Sequence, residues 1–458
     1  MPHPFDRYTD FIDVDALKAI SDKPLRKSMR VNTLKATREE FIAWAKAKKW
    51  MIDDVPWCKE GFFVDREVRD EALGKDLLHV LGGVYMQEAA SMLPVELLAP
   101  EPGHRVLDMS AAPGSKTTQI AAKLRGSGVV IGNDVQEKRI WSLLSNVQRC
   151  GVTNILVTRK VGQWFAGNMT ESFDRVLCDA PCTAQGTARK DSDALQYCSV
   201  ENIQKMHRLQ QELLESAIHA TNVGGRIVYS TCTLTPEENE GVILTMLNKF
   251  SDQLSILHPE EIIDCSFQKA FEDSARVQAS LGQKNPLPMV RLWPQTYDTE
   301  GFFVAVLEKR APTRDRKQGR SDTHRFPLIP KHRTKEIAAR LEDWYGTSFL
   351  RDDEILLESK DQLLVLPESI LSMHLPLLPY WSGLPFGKYT SHGLPRLSHE
   401  MTTLRGHEAI KQVVELPMET IKRAMQGQNI GTEMKGIDDG DILLSTRDTV
   451  LKIGRAHV

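Results

Sequence analysis

At 458 residues the chain exceeds what one hydrophobic core usually serves, so roughly two to four domains are expected. Its 41% hydrophobic and 26% charged residues match a folded globular protein and exclude a mostly disordered or fibrous one. The net charge of -3 does not decide for or against a nucleic-acid partner, because a mean over the chain hides local patches.

The opening segment, MPHPFDRYTDFID, carries acids and prolines where a signal peptide needs a basic stub and an apolar run. No stretch of about 18 apolar residues follows, so a cytoplasmic monomer without membrane association is expected. Residues 1–95 mix helical patterning with a compact basic run at 24–32, PLRKSMRVN. From 96 to 308 short β-branched runs alternate with amphipathic segments, which predicts a parallel sheet with helices on both faces. Strands are expected at 105–108, 129–132, 155–157, 175–178 and 227–230, with a terminal antiparallel strand at 301–306. Ile140, Leu143, Leu144 and Val147 lie at helical spacing and stop before Gly151, as a helix C-terminus would. Thr235-Pro236-Glu237-Glu238 reads as a capping box opening the helix after the last parallel strand. Residues 309–325, KRAPTRDRKQGRSDTHR, hold seven Lys or Arg, two Asp and almost no apolar side chain, and are expected to form a basic linker. Two smaller segments follow, a small domain at 326–395 and a module at 396–458.

Right-handed crossovers place the C-terminal ends of all parallel strands on one edge, where ligands bind in such sheets. The first strand runs into Asp108-Met109 and then Ser110-Ala111-Ala112-Pro113-Gly114-Ser115-Lys116-Thr117, small residues leading straight into a helix. A ligand can lie against such a backbone, with its carboxylate at the free N–H groups of the helix. Neither a dinucleotide fingerprint nor a phosphate loop is present. Asp134, about 20 residues on, suits both hydroxyls of a ribose, or the N-cap of its own helix, or both. The fourth and fifth strands end in Asp179-Ala180-Pro181-Cys182 and Ser230-Thr231-Cys232-Thr233, so two thiols from distant sequence should face one cleft. The seven cysteines are otherwise scattered, with no Cys-x-x-Cys pair, and look like neither a disulfide frame nor a metal site.

These motifs, with Tyr85-Met86-Gln87-Glu88-Ala89-Ala90-Ser91, Arg189-Lys190-Asp191 and Glu300-Gly301-Phe302-Phe303, resemble the Sun/Fmu/NSUN (RsmB/NOP/NSUN) family of RNA cytosine-5 methyltransferases. Within it, the bacterial RsmF-type members are the most similar. The resemblance implies a class I methyltransferase fold with a mostly parallel seven-stranded sheet, S-adenosylmethionine as cofactor and RNA as substrate. Cys232 matches the nucleophile and Cys182 the cysteine that resolves the covalent adduct. Asp179 matches the acid beside the base and the methionine moiety, and Lys116 a lysine near both substrates. Ser110 to Thr117, Asp134, Arg139 and Asp179 match cofactor contacts. Physics favours the same scheme, because carbon 5 of cytosine becomes nucleophilic only after a group adds to carbon 6, and a thiolate suits that addition.

Three departures stand out. Val161-Gly162 replaces an Asp-Gly pair, removing the expected acceptor for the adenine amine; Thr183-Ala184-Gln185-Gly186 replaces Ser-Gly after Cys182, adding bulk beside the base; and Ser115 replaces a glycine, as in RsmF-type members. Arg26, Lys27, Arg30, Arg189 and Lys190 are expected to meet RNA phosphates. By the same resemblance residues 396–458 look like a PUA-type RNA-binding module. Its last residues stop without a closing strand pattern, as in a truncated module, and the final six read as a cloning or sequencing remnant. Ribosomal RNA is the favoured substrate and tRNA the runner-up. A non-catalytic RNA-binding or assembly factor remains a rival, against which the intact Cys182, Cys232, Asp179 and Lys116 argue. An amino-group methyltransferase would want an Asn/Asp-Pro-Pro-Tyr-like turn instead.

Overall fold

The computed structural model describes residues 3–66, 72–315, 321, 325–389, 395–425, 428–430, 437–438, 440–446 and 449–456. Part of the expected linker, 316–320 and 322–324, and the terminal 457–458 lie outside the described residues.

Most of the basic run near the N-terminus forms β1 (Lys27–Val31), an inner strand of a four-stranded antiparallel sheet. The other strands are β2 (Met51–Val55), β3 (Cys58–Asp65) and β4 (Val84–Met86), in the order β2-β3-β1-β4. Both faces of β1 are covered, so Ser28 to Val31 are all buried. The helix Ala89–Leu98 then runs almost wholly buried between this sheet and the next. It crosses the expected boundary at 95/96, and its side chains pack with Trp57 and Phe63 on one side and Val106 and Val228 on the other.

The large sheet contains β5 (Arg105–Asp108), β6 (Val129–Asn133), β7 (Ile155–Thr158), β8 (Phe173–Asp179), β9 (Thr221–Thr231), β10 (Leu254–Ile256), β11 (Val290–Leu292) and β12 (Phe302–Lys309). All five expected parallel strands and the antiparallel one are present. Their order is β10-β12-β9-β8-β5-β6-β7, with β5, β6, β7, β8 and β9 mutually parallel and β12 antiparallel between β9 and β10. The seven expected strands become nine, because β11 adds to β12 and a short strand from the tail adds to β7. The four apolar positions of helix Glu137–Arg149 are all buried, and Gly151 takes the left-handed conformation (φ 75°) after its end. Thr235-Pro236-Glu237-Glu238 is not the expected capping box: the helix starts at Glu240, and Thr235 and Glu238 turn inward instead. Lys309 is not linker either; it ends β12, with Nζ buried 3.1 Å from Glu171.

Beyond the linker, β13 (Glu354–Ser359), β14 (Gln362–Pro367), β16 (Leu384–Lys388) and β17 (Arg396–Leu397) form an antiparallel sheet against helix Lys331–Tyr345. β15 (Trp381–Ser382) is the strand that pairs with β7. The β16–β17 pairing spans the expected boundary at 395/396, and one core joins Leu341, Phe386, Met401 and Leu443 across it. β18 (Val413–Glu415), β19 (Gly440–Thr446) and β20 (Thr449–Ala456) complete the β-rich tail. β20 occupies the stretch expected to lack a strand pattern; it is registered against β19 from Gly440↔Ala456 to Thr446↔Thr449. No helix among the described residues is long and apolar enough to cross a membrane.

Candidate active site

Between β5 and helix Ser115–Leu124 the chain turns through Ser110 to Gly114, and Gly114 adopts φ 111°, which favours glycine over any side chain. Helix Glu137–Arg149 closes on the turn from behind: Asn146 donates to the Pro113 carbonyl (2.9 Å) and Arg139 to that of Ala112. Asp108, at the end of β5, is buried and accepts from Thr117 Oγ1 (2.7 Å). Burial raises its carboxyl to about 7.

Asp134 follows β6. Its Oδ1 accepts from the Gln136 backbone N–H (2.9 Å), while Oδ2 is buried with no hydrogen-bond donor and with Arg139 Nη1 at 3.3 Å as counter-charge. A buried acceptor without a donor, beside a small-residue turn and a free helix N-terminus, fits the ribose and carboxylate ends of S-adenosylmethionine. The neighbouring Asn133 clamps Lys160 through both backbone groups (2.9 Å each), which holds Val161 beside this turn, 56% exposed.

The two cysteines meet as expected. Cys182 Sγ and Cys232 Sγ lie 3.5 Å apart, each just past the end of its strand. The hydrogen bond to Cys232, together with burial, pushes the Cys182 thiol well above the ordinary range. Beside them Asp179 Oδ2 is 2.7 Å from Lys116 Nζ, and Ser230 Oγ donates to Asp179 Oδ1 (2.6 Å). Burial disfavours the Lys116 charge, but the Asp179 carboxylate outweighs it, and the ammonium is held above its usual range. Cys232 also lies within the electrostatic reach of that ammonium.

A second layer, not anticipated from the sequence, fixes both cysteine turns. Glu238 is fully buried and accepts from the Thr183 backbone N–H (3.0 Å), Gln210 Nε2 (2.8 Å), Thr235 Oγ1 (2.7 Å) and the Thr183 hydroxyl. Thr183 therefore points into this network and does not crowd the base side. Ala184 takes φ 57°, a left-handed position where glycine would be unstrained. Gly186 donates its N–H to the Cys232 carbonyl (3.0 Å), and a Cβ there would fall 2.2 Å from the Gly301 oxygen. No signal in one sequence links Glu238 to Thr183, 55 positions away.

The five expected RNA-binding cations divide. Arg30 is 1% exposed and donates to Gln87 (2.8 Å) and Thr118 (2.9 Å), tying the N-terminal sheet to the cofactor helix. The Arg189 side chain is 2% exposed, paired with Asp298 (2.8 Å) and bound to the carbonyls of Pro24 and Thr299. These two are structural. Arg26 pairs with Asp53 and Asp65 and stacks on Phe63, whereas Lys27 and Lys190 are exposed with no ion pair among the described residues. Cys58, Glu60 and Glu96 also converge, but Lys123 lies 2.7 Å from Glu96 and 3.7 Å from Glu60 and supplies the counter-charge to both acids.

The strand order, the small-residue turn and the acid after β6 define a class I S-adenosylmethionine-dependent methyltransferase, with Asp179-Ala180-Pro181-Cys182 where an amino-group enzyme would want an Asn/Asp-Pro-Pro-Tyr-like turn. A family model described as 16S rRNA methyltransferase RsmB/F matches residues 95–308, and one described as the N-terminal domain of 16S rRNA methyltransferase RsmF matches 6–89. The chain belongs to the RsmB/F methyltransferase family. It is 35% identical to the ribosomal RNA small subunit methyltransferase F of Psychromonas ingrahamii, over 97% of this chain and 91% of that protein. The enzyme of the same name from Aeromonas salmonicida is also 35% identical, over 97% and 90%. Among solved structures, a methyltransferase homolog from Pyrococcus horikoshii superposes with a TM-score of 0.56 at 32% identity, over 66% of this chain and 93% of the other. NSun6 from Pyrococcus horikoshii, solved with SFG, shares the fold with a TM-score of 0.57 at 22% identity, over 68% and 98%.

Proposed function

We propose that the chain methylates carbon 5 of a cytosine in small-subunit ribosomal RNA, through a transient bond between Cys232 Sγ and carbon 6 of the base. The observation that carries this reading is the 3.5 Å approach of two thiols beside the Lys116–Asp179 pair, a set that pure RNA binding does not require. The names of the relatives above support ribosomal RNA as the substrate. When bound, S-adenosylmethionine supplies an electrophilic methyl group; Ser110 to Thr117, Asp134 and Arg139 hold it.

The chain's own residues act on the base. Cys232, within reach of the Lys116 ammonium, adds as thiolate to carbon 6, and the ring becomes an enamine nucleophilic at carbon 5. The Lys116 ammonium, held by the Asp179 carboxylate, takes up the negative charge that develops at the ring nitrogen. After transfer a base removes the carbon-5 proton, the C6–S bond breaks, and its electron pair returns to sulfur. Cys182, kept as a thiol, assists that release. The reaction needs a cytosine out of its stack, which a flipped or single-stranded target provides. The β-rich tail acts as a PUA-like RNA-binding module, and the protein works in the cytoplasm as a monomer.

Mass mapping of 5-methylcytosine in ribosomal RNA and tRNA of the host, with and without the gene, tests this reading. Loss of methylation at a 16S rRNA cytosine is expected. An unchanged map, or a loss confined to tRNA, overturns the assignment.

A further inference from the structure

A cavity of about 470 Å³ lies between the N-terminal sheet and the catalytic turns, with Lys27, Ser28, Gln87, Glu88, Lys190 and Glu300 in its wall. Two carboxyls meet there. Glu88 is fully engaged, because Oε2 accepts the Ser91 backbone N–H (3.1 Å) at the start of helix Ala89–Leu98 and Oε1 accepts that of Glu300 (3.2 Å). Glu300 is 6% exposed, and among the described residues no donor reaches its Oε1. Burial raises both acids, Glu88 to about 8 with added repulsion from Glu300. Native proteins seldom leave a buried acceptor unmatched without a use for it.

This acid is tied to the chemistry. The N–H of Gly301, the next residue, donates to the Gly186 carbonyl (2.9 Å), and the Gly186 N–H donates to that of Cys232 (3.0 Å). The Lys116 ammonium acts electrostatically on both Asp179 and Glu300. The cavity is therefore next door to the target base. Its charges fall into two tiers, with the exposed cations Lys27 and Lys190, the ion-paired Arg26 and Asp65, and Arg66 on the outer side, and the buried Glu300 carboxyl inside. A free phosphate could not go deep, since Glu300 would repel it. A nucleotide satisfies both tiers, with its phosphate outside and a hydrogen-bond donor within, and the volume suits a ligand of that size.

We propose that this cavity seats a nucleotide flanking the target cytosine, with its phosphate between Lys27 and Lys190 and with Glu300 Oε1 accepting a hydrogen bond from it. The donor is either an exocyclic base amine or a ribose 2′-hydroxyl. The proposal rests on the RNA methyltransferase reading above.

The test uses the full chain with S-adenosylhomocysteine and an RNA fragment spanning the mapped cytosine, with binding followed by fluorescence anisotropy. Each nucleotide flanking the target is replaced in turn by its 2′-deoxy form and, separately, by a base lacking the amine. At one flanking position wild-type binding should weaken about tenfold or more, the effect of losing a hydrogen bond to a charged group. Sensitivity to the deoxy form assigns the ribose as donor, and sensitivity to the base assigns the amine. Glu300→Ala should bind the native fragment as weakly as wild type binds the altered one and should ignore the alteration. Lys27→Ala with Lys190→Ala should weaken every fragment and reduce the salt slope by roughly two. Wild-type binding indifferent to every flanking change, or discrimination kept in full by Glu300→Ala, overturns the nucleotide seat; an unchanged salt slope overturns the phosphate assignment. The first arm needs no variant, so a misfolded mutant cannot mask the answer. A chain that transfers no methyl to the unmodified fragment overturns the enzymatic reading, whereas one that methylates it and ignores every flanking change overturns this proposal alone.

Discussion

Glu238 Oε2 accepts the backbone N–H of Thr183 at 3.0 Å, joining the turn that carries Cys182 to the segment that follows Cys232. Gln210 Nε2 reaches the same oxygen at 2.8 Å, so a helix between the two strands enters the bond network as well. The separation of the thiols is therefore set by a buried carboxylate that touches neither of them.

Removing that carboxylate strands the Thr183 N–H and one of the two N–H groups of the Gln210 amide, whose other hydrogen goes to the Pro181 carbonyl, each worth about 1–3 kcal/mol when left unmatched. Glu238→Ala should lower stability by roughly 2–4 kcal/mol in denaturant unfolding. It should also slow methyl transfer with little change in cofactor affinity. Glu238→Gln keeps the shape, and the threonine hydroxyls around it can rotate to accept, so most of the loss should be recovered. An alanine variant as stable as wild type would mean that the network does not hold the turns.

The same geometry shows why part of the site was legible and part was not. Cys182, Cys232 and Asp134 follow strand ends, Asp179 closes β8 and Lys116 lies in the first turn of the helix after β5; strand ends can be read from short β-branched runs, so the topology alone brings them to one edge. Glu238 resembled a helix cap because Thr235 and proline precede it, yet its partners come from 28 and 55 positions away, beyond any local pattern. Arg30 and Arg189 looked like RNA-facing cations for a similar reason: what buries them is another element, the cofactor helix for one and Asp298 for the other. The strand β15 was invisible, being two residues long and stabilised by the edge of β7 rather than by its own sequence.

Val161 stands on the cofactor edge, mostly exposed, where the resemblance to the family predicts an acid. A carboxylate there would accept from the adenine amine, at a net gain of about 1 kcal/mol, or roughly fivefold in Kd. Val161→Asp should therefore tighten binding of S-adenosylhomocysteine in calorimetry. Unchanged or weaker affinity would show that another group already serves the adenine.

Asp108 makes the cofactor-free protein sensitive to pH. Its carboxyl is raised to about 7 by burial, against an ordinary value of 3.8. The native state thus keeps a proton that the unfolded chain releases, so this contribution is fully present below about pH 4 and is lost as pH rises through about 7. Its size is on the order of 4 kcal/mol. Asp108→Asn can still accept from Thr117 but cannot titrate, so its Tm should fall less steeply than that of wild type between pH 4 and 7. Parallel curves would mean that Asp108 ionises normally in the fold.

The two thiols are separable by where the catalytic cycle stops. At 3.5 Å each could attack the same base, but Cys232 feels the Lys116 ammonium, while Cys182 is held as a thiol by its hydrogen bond and burial. Cys232→Ala should fold, bind cofactor and form no bond to RNA. Cys182→Ala should form the bond, complete methyl transfer and fail at elimination, leaving enzyme trapped on its substrate. Denaturing electrophoresis with labelled RNA reads the difference directly: an RNA-linked band for Cys182→Ala, and none for Cys232→Ala or the double variant. The reverse pattern would make Cys182 the nucleophile. No band in any variant, together with no methyl transfer by wild type, would return the chain to a binding role in which the paired thiols have no chemistry to do.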